Sequence, residues 1–359
     1  MSLHFHELKV AAVEPDTDEA VVVRFDVPAE LREVFSFTQG QYLTLRATVD
    51  GEDLRRSYSI CAGLDDGVLR VGVRKVQGGR FSNWVNANLK AGDAIQVFPP
   101  QGRFFVPLAP AEARHYVGIA GGSGITPILS IMKTVLQREP KSRFTLLYGN
   151  RRVNSTMLKD EIEDLKNQHM GRLAIHAVFS DEAVDSELLA GVMNRAKVEA
   201  FLKTLVPAGG ISHAFICGPY QMNDEAEGAL LDAGVAKERI HVERFGTPEM
   251  QEGKPAPHEL KPGDVSQARV TIVRDGLSRV IEVLASDPSL LDAAARAGMD
   301  VPYSCKSGVC STCRCKVLEG QVRMDRNFAL EKHELEAGFV LACQAHALTP
   351  TVTLSFDER

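Results

Sequence analysis

The chain has no run of apolar residues long enough to cross a lipid bilayer, which takes about 20 residues of helix. It also has no apolar signal segment after Met1, which predicts a cytoplasmic protein. Basic residues do not form a block, and the formal net charge of −6 is spread over the 359 residues, so a nucleic-acid partner is not expected. These absences predict a globular protein with neither a membrane nor a nucleic acid as its partner.

Cysteine is also scarce, with seven residues in the chain. This number is odd and the chain shows no signal segment, and both facts argue against a disulfide framework. Cys305, Cys310 and Cys313 form a C-x4-C-x2-C pattern, and Cys343 follows further along. This spacing resembles that of plant-type ferredoxins, whose four thiolates bind a [2Fe-2S] cluster. Zinc is an alternative, although structural zinc sites usually pair two separated two-ligand knuckles. Cys315 is expected to be a small buried side chain on a strand.

The residues around this loop resemble a β-grasp ferredoxin. Two strands are expected at residues 269–274 and 279–284, followed by a helix with Asp287 as its N-cap. Before them, residues 247–266 contain four prolines and no periodic apolar pattern, which is typical of a linker. The predicted domains are therefore residues 1–109, 110–246 and 267–359.

Residues 1–109 show short alternating strands separated by turn residues, which predicts an antiparallel β-barrel. A strand expected at residues 56–61 begins with Arg56-Ser57-Tyr58-Ser59. The period of two puts Arg56 and Tyr58 on one face, where the guanidinium can bind a phosphate and the ring can lie on a flavin. An ordinary cross-strand pair would show the same pattern.

A second motif, Gly78-Gly79-Arg80-Phe81-Ser82, places a glycine turn before a helical segment, whose N–H groups can receive a pyrophosphate. The two motifs in this order resemble the flavin motifs of the ferredoxin-NADP reductase family. The resemblance implies that FAD is bound by Arg56, Tyr58, Ser59, Gly78, Gly79 and Ser82.

Residues 110–246 begin with an apolar strand at 115–120, a glycine turn and a helical pattern. The helix is expected to have Thr126 as its N-cap and Pro127 in its first turn, with its N-terminus facing a pyrophosphate. Further buried strands, such as 144–148 and 214–216, predict an open parallel sheet. The turn resembles the G-G-x-G-I-T-P of the reductase family, which implies that NAD(P)H is bound by Gly121, Gly122, Gly124, Thr126 and Pro127.

Two later segments also resemble the family. Cys217-Gly218-Pro219 matches its C-G-P, which implies that Cys217 lies beside the nicotinamide C4, with Gly218 and Pro219 in the same pocket. A buried cysteine before a turn is the alternative. Phe245 is expected to cover the flavin face opposite Tyr58. The resemblance thus implies that hydride transfer takes place near Tyr58, Ser59, Thr126 and Cys217.

The choice of coenzyme depends on what binds the adenosine ribose. Arg151 and Arg152 follow the strand at 144–148, where they are suited to the 2'-phosphate of NADPH, although solvated arginines would give the same pattern. NADPH-specific members of the family often have Ser-Arg after the next strand, where this chain has Ser180-Asp181. We predict NADPH and keep NADH as an alternative.

Together these motifs predict a flavin β-barrel domain, an α/β open parallel sheet nucleotide domain and an α+β β-grasp ferredoxin domain. A flavin is required between a hydride donor and a one-electron cluster. This order resembles the reductases of multicomponent oxygenases. Residues 301–310 and Cys343-Gln344-Ala345 more narrowly resemble the reductase subunits of phenylacetyl-CoA epoxidases, in aerobic phenylacetate catabolism. That resemblance implies FAD, NADPH and a di-iron oxygenase as the electron acceptor.

Two alternatives remain. The reductase of another oxygenase, such as a ring-hydroxylating or steroid-hydroxylating system that uses FAD or FMN with NADH, would share these motifs. A redox-sensing or metal-sensing binding protein would use its cysteines for zinc or disulfides and would contain neither iron nor flavin.

Overall fold

The computed structural model describes residues 4–247 and 261–358. Residues 5–245 form the larger of two compact units, and residues 246, 247 and 261–358, with His4, belong to the smaller one. Most of the predicted linker, residues 248–260, lies outside the described residues. No helix in the described part of the chain is long and apolar enough to cross a membrane.

The first half of the larger unit is an antiparallel β-barrel. Its strands are β1 (His6–Thr17), β2 (Ala20–Asp26), β3 (Tyr42–Val49), β4 (Glu52–Ser59), β5 (Leu69–Arg74) and β6 (Ala94–Gln101). They pair in the order β4-β3-β6-β1-β2-β5, and a bridge between Ile60 and Val71 links the two ends of the sheet. Alternate residues such as Leu43 and Leu45 fill the interior. Helix α1 (Arg80–Asn88) packs its buried face against the same core.

The second half of the larger unit is an α/β layer. Its strands are β7 (His115–Gly121), β8 (Arg143–Asn150), β9 (Leu173–Phe179), β10 (His213–Gly218) and β11 (Ile240–Arg244), all parallel, in the order β11-β10-β7-β8-β9. Its helices are α2 (Ile125–Arg138), α3 (Lys159–Gln168), α4 (Arg195–Thr204) and α5 (Tyr220–Asp232).

Helices cover both faces of this parallel sheet. In the central strand β7, Tyr116 and Ala120 belong to one core cluster with α2 and α3, while Val117 and Ile119 belong to another with α4 and α5. Both faces are therefore buried, which explains why β7 is a continuous apolar run. Ligand sites in such sheets lie beyond the carboxyl ends of the strands.

The smaller unit contains a β-grasp sheet. Its strands are β12 (Gln267–Arg274), β13 (Leu277–Leu284), β14 (Arg314–Glu319), β15 (Val322–Met324), β16 (Phe339–Leu341), β17 (Ala345–Ala347) and β18 (Thr351–Ser355), with helices α6 (Leu290–Arg296) and α7 (Lys332–Glu336). The main sheet has the order β13-β12-β18-β14-β16, and β15 pairs with β17. The end of the predicted linker joins this unit, because the Val265 N–H donates to the Ala347 carbonyl (3.1 Å).

The structure corrects both predicted helix caps. Helix α2 begins at Ile125 after a 3-10 turn at Gly122–Gly124, so Thr126 is its second residue and not its N-cap. In α6 the N-cap is Ser289, whose hydroxyl accepts the Asp292 N–H (3.2 Å). In both cases a residue with a suitable side chain lies near the helix start, and the local backbone path selects another residue for the cap.

Candidate functional site

Tyr58, at the end of β4, is the central residue of the candidate flavin region. It is partly buried, and its ring centroid lies 6.1 Å from that of Phe81 in α1. Burial raises the pKa of the Tyr58 phenol, so the hydroxyl keeps its proton. Arg56 is exposed, and its guanidinium donates to the Arg55 carbonyl (2.7 Å). Because residues two apart share a face of a strand, Arg56 and Tyr58 project from the same side of β4.

The start of α1 has the form of a phosphate site. Gly78 has a φ of 70°, and Gly79 is the N-cap without a side-chain capping bond. The buried Ser82 hydroxyl accepts the Val76 N–H (3.1 Å) and so shapes the turn. The first N–H groups of a helix have no partner inside the helix and attract anions. These residues therefore fit a flavin pyrophosphate.

The glycine turn after β7 contacts the end of β10. A Cβ at Gly124 would lie 1.9 Å from the Cys217 carbonyl oxygen, so no other residue permits this approach. A Cβ at Gly121 would lie 2.7 Å from Cδ of Pro219, which is the N-cap of α5. The Thr126 hydroxyl donates to the Ser123 carbonyl (2.9 Å). The predicted coenzyme turn and the Cys217-Gly218-Pro219 segment are thus one continuous surface.

Ser59, Cys217 and Glu243 lie together at this edge of the larger unit. Cys217 is fully buried at the end of β10 and is the register partner of Glu243 in β11. The Ser59 hydroxyl donates to Glu243 Oε2 (3.4 Å), and Asn223 Nδ2 donates to the Glu243 carbonyl (3.0 Å). Side chains from the barrel and from the parallel sheet therefore meet at one carboxyl group.

Glu243 is a candidate functional residue in the segment Glu243-Arg244-Phe245, which the family resemblance places near the flavin and in which a role was predicted for Phe245 alone. Burial raises its pKa to about 8, against a lowering by the Ser59 hydrogen bond. Burial also raises the pKa of the Cys217 thiol. Both groups therefore keep their protons at neutral pH. The sequence signal that could have identified Glu243 was its position, because it is an acidic residue inside a short strand that follows two buried strands. Phe245, beyond β11, is 43% exposed, and its place over a flavin stays a prediction.

A cavity of about 300 Å³ lies beside the predicted 2'-phosphate site. Arg151 and Arg152 line it from the loop after β8, together with Glu19 and Asp181. Glu19 Oε2 accepts from Arg74 (2.8 Å) and from Arg151 (3.1 Å). The Arg74 hydrogen bond holds the pKa of Glu19 below its usual value. The cavity is therefore lined by both positively and negatively charged side chains.

Arg74 also approaches the glycine turn. A Cβ at Gly122 would lie 2.7 Å from Arg74 Nη1, so this barrel guanidinium lies directly against the turn. Ion pairs therefore connect the turn, through Glu19, with the arginine cavity.

Four of the five cysteines of the smaller unit, Cys305, Cys310, Cys313 and Cys343, come together. The Cys310 and Cys305 sulfurs are 3.1 Å apart, and the N–H groups of Ser307 and Cys310 each donate to the Cys305 sulfur (3.4 Å). The hydrogen bond with the Cys310 thiol is the largest cause that lowers the pKa of the Cys305 thiol, followed by the hydrogen bond with Cys343, and the Ser307 N–H adds to it. Hydrogen bonds to the Cys305 and Cys313 sulfurs raise the pKa of Cys343. Cys315 is fully buried in β14, as predicted.

This set of four cysteines fits a binuclear cluster. Among residues 4–247 and 261–358, no three His, Cys, Asp or Glu side chains are grouped to hold a metal ion. Cys305 contacts both Cys310 and Cys343, and Cys343 also contacts Cys313. Four thiolates, two on each iron, are the ligand set of a plant-type [2Fe-2S] cluster.

Three family models match the chain. An oxidoreductase FAD-binding domain matches residues 7–106, an oxidoreductase NAD-binding domain residues 119–227 and a 2Fe-2S iron-sulfur cluster binding domain residues 272–348. The chain is 32% identical over 359 residues to the ferredoxin reductase component of the 3-ketosteroid-9-alpha-monooxygenase of Rhodococcus rhodochrous, covering 97% of this chain and 96% of that protein. It belongs to the flavin- and [2Fe-2S]-containing oxygenase reductases.

Another relative is more similar. One of the subunits of the 1,2-phenylacetyl-CoA epoxidase of Escherichia coli (strain K12) is 45% identical over 356 residues, covering 99% of this chain and 98% of that protein. Among solved structures, phthalate dioxygenase reductase shares the fold, with a TM-score of 0.59, 23% identity and 98% of both chains covered. The predicted fold class is confirmed. The protein is an NAD(P)H-dependent oxidoreductase with FAD-binding, nicotinamide-binding and [2Fe-2S] domains.

Proposed function

We propose that the protein takes electrons from NADPH and passes them through FAD and the [2Fe-2S] cluster to a di-iron oxygenase that epoxidises phenylacetyl-CoA. The observation that carries this proposal is the 45% identity to the epoxidase component of Escherichia coli, which extends over 99% of the chain. Because the identity spans both compact units, it supports a shared acceptor as well as shared cofactors.

The described residues supply binding and orientation. Arg56 and Ser82 would hold the FAD phosphates, and Tyr58 would lie on its ring. When bound, the flavin accepts a hydride and releases electrons singly. The contact of Gly124 with Cys217 would keep the nicotinamide end of the coenzyme beside the buried thiol. Glu243 retains its proton beside Ser59 and keeps this pocket free of a negative charge at neutral pH.

NADPH is favoured by the arginine cavity. Arg151 and Arg152 can form charge-assisted hydrogen bonds with a 2'-phosphate, for which NADH offers no equivalent. Asp181 lies in the same cavity and suits a ribose hydroxyl, so it favours NADH. Because Asp18 and Glu19 also line the cavity, the proposal of NADPH rests on the two guanidinium groups as donors to a phosphate and not on the net charge of the lining.

A steroid-hydroxylating system is the second candidate, because the relative from Rhodococcus rhodochrous is 32% identical over nearly the whole chain. Both candidates share the cofactors and differ in the oxygenase that accepts the electrons. Family membership argues against a metal-sensing binding protein.

Reconstitution tests the proposal. The purified protein is mixed with NADPH, phenylacetyl-CoA and the oxygenase components of the Escherichia coli epoxidase, and the epoxide is measured by mass spectrometry. We expect epoxide formation that requires all components. A parallel mixture contains a 3-ketosteroid 9α-hydroxylating oxygenase and its steroid. Steroid turnover without epoxide formation would replace our proposal with the second candidate.

A further inference from the structure

Gln344 is a buried polar side chain beside the cysteines that is not itself a ligand. It directly follows Cys343 in a 3-10 turn and is 9% exposed. Its Nε2 donates to the carbonyls of Cys343 (2.9 Å) and Lys306 (3.0 Å) and lies 3.7 Å from the Cys343 sulfur. The amide thus connects the Cys343 turn with the loop that contains Cys305.

The packing around Gln344 keeps its amide in this place. A Cβ at Gly308 would lie 3.2 Å from Gln344 Cγ and 3.2 Å from the Arg326 carbonyl oxygen, and Gly308 has a φ of 79°. The Phe328 N–H donates to the Gly308 carbonyl (3.0 Å). Glycine is therefore required where the loop meets Gln344, and the amide stays within reach of the sulfurs.

Ser307 is a second donor in the same loop. Its N–H donates to the Cys305 sulfur (3.4 Å), and the residue is 9% exposed. Its hydroxyl is buried without a hydrogen bond to an oxygen or nitrogen atom among the described residues, and the Cys305 sulfur lies beside it. A buried hydroxyl has given up its hydrogen bonds to water, so it destabilises the fold unless a partner satisfies it. A sulfur atom of a bound cluster would be that partner.

We propose that the Ser307 hydroxyl and one Gln344 N–H, shared between the carbonyl and the sulfur of Cys343, donate hydrogen bonds to sulfur atoms of the [2Fe-2S] centre and raise its reduction potential. Reduction adds one negative charge to the cluster, and donors to its sulfurs stabilise that charge. The two residues act as positioning and tuning groups, because neither is a ligand. The proposal depends on the cluster site and is independent of the oxygenase that accepts the electrons.

The test is an EPR-monitored redox titration of the full-length holoprotein and of the Ser307→Ala and Gln344→Leu variants. Each substitution is expected to reduce the equilibrium constant for cluster reduction about threefold, which for one electron is a shift of about 30 mV to lower potential. Exposed positions supply matched controls, Ser278→Ala in β13 and Gln321→Leu before β15, and neither should shift the potential.

Iron content separates tuning from simple structural support. A variant that loses iron while its remaining cluster keeps the wild-type potential would show a structural role and overturn the proposal. Unchanged potentials with full iron content would also overturn it. Ser307→Ala removes a single oxygen atom, so it decides the matter if Gln344→Leu fails to load iron. Gln344→Glu, of nearly the same shape, should lower the potential as well, since a carboxylate accepts hydrogen bonds.

Discussion

The two candidate redox sites of this protein are built on different supports. In the larger unit, Ser59, Cys217 and Glu243 lie at the ends of strands, where backbone pairing positions them. In the smaller unit, the cysteines lie in an irregular loop and a 3-10 turn, and hydrogen bonds from neighbouring residues connect these segments. A site built on strands should tolerate the loss of one side chain, whereas the cysteine site should depend on each ligand.

The largest effect is expected for Cys310→Ser. Removing one thiolate should abolish the [2Fe-2S] cluster and electron transfer beyond the flavin, because the loop supplies no other ligand in its place. Reduction of FAD by NADPH should continue, since its residues belong to the other unit. Iron content and stopped-flow bleaching of the flavin measure the two sites separately. The control is Cys315→Ala, which should retain iron. Slow flavin reduction in Cys310→Ser would contradict the separation of the two sites.

A smaller effect is expected for Glu243→Gln. The amide keeps the shape and the uncharged state that the protonated carboxyl has at neutral pH, but it cannot ionise, so above pH 8 we expect reduction of FAD by NADPH to be about tenfold slower in the wild type than in Glu243→Gln. The cluster potential should not change. Exposed Glu238 provides the matched control, Glu238→Gln. An unchanged rate would show that the carboxyl group has only a structural role.

The next largest effect is expected for substitutions in the arginine cavity. Arg151→Ala should raise the KM for NADPH about tenfold, the value of one charge-assisted hydrogen bond, and leave the KM for NADH nearly unchanged. Glu19→Gln should lower the KM for NADPH a few-fold, because Arg74 and Arg151 lose their ion pairs with Glu19 and can bind the phosphate. Arg138→Ala, at an exposed ion pair with Asp65, is the control. Equal effects on both coenzymes would contradict a 2'-phosphate site.

The smallest expected effect is on stability. The Glu243 pKa is about 8 in the folded protein against an ordinary 4.5, so its protonated form contributes stability below pH 4.5 that is lost as the pH rises to 8. Between pH 5 and pH 8.5 the wild type should lose roughly 1 to 2 kcal/mol relative to Glu243→Gln, with allowance for partial exposure. Urea unfolding at both pH values measures this difference. If the free energies of unfolding of the wild type and of Glu243→Gln change equally with pH, the Glu243 carboxyl is solvated.

Some parts of this molecule can be predicted from the sequence, and others cannot. The strands and the cysteine spacing are local patterns, and the fold class that they predict is confirmed. Strand β11 was not predicted, because five residues with two charged side chains show no clear period. The caps at Thr126 and Asp287 were wrong because several nearby residues could serve and the backbone path chose among them.

By itself, the sequence determined the three motif sets and their order, because each depends on residues that are close in the chain. The tertiary structure alone decided which of them meet. Ser59 reaches Glu243 across 184 positions, and Glu19 reaches Arg151 across 132. These contacts form where the barrel and the α/β layer of the larger unit pack against each other, and no local pattern encodes them. The same holds for Gln344 and Lys306, which the fold brings together at the cysteine site.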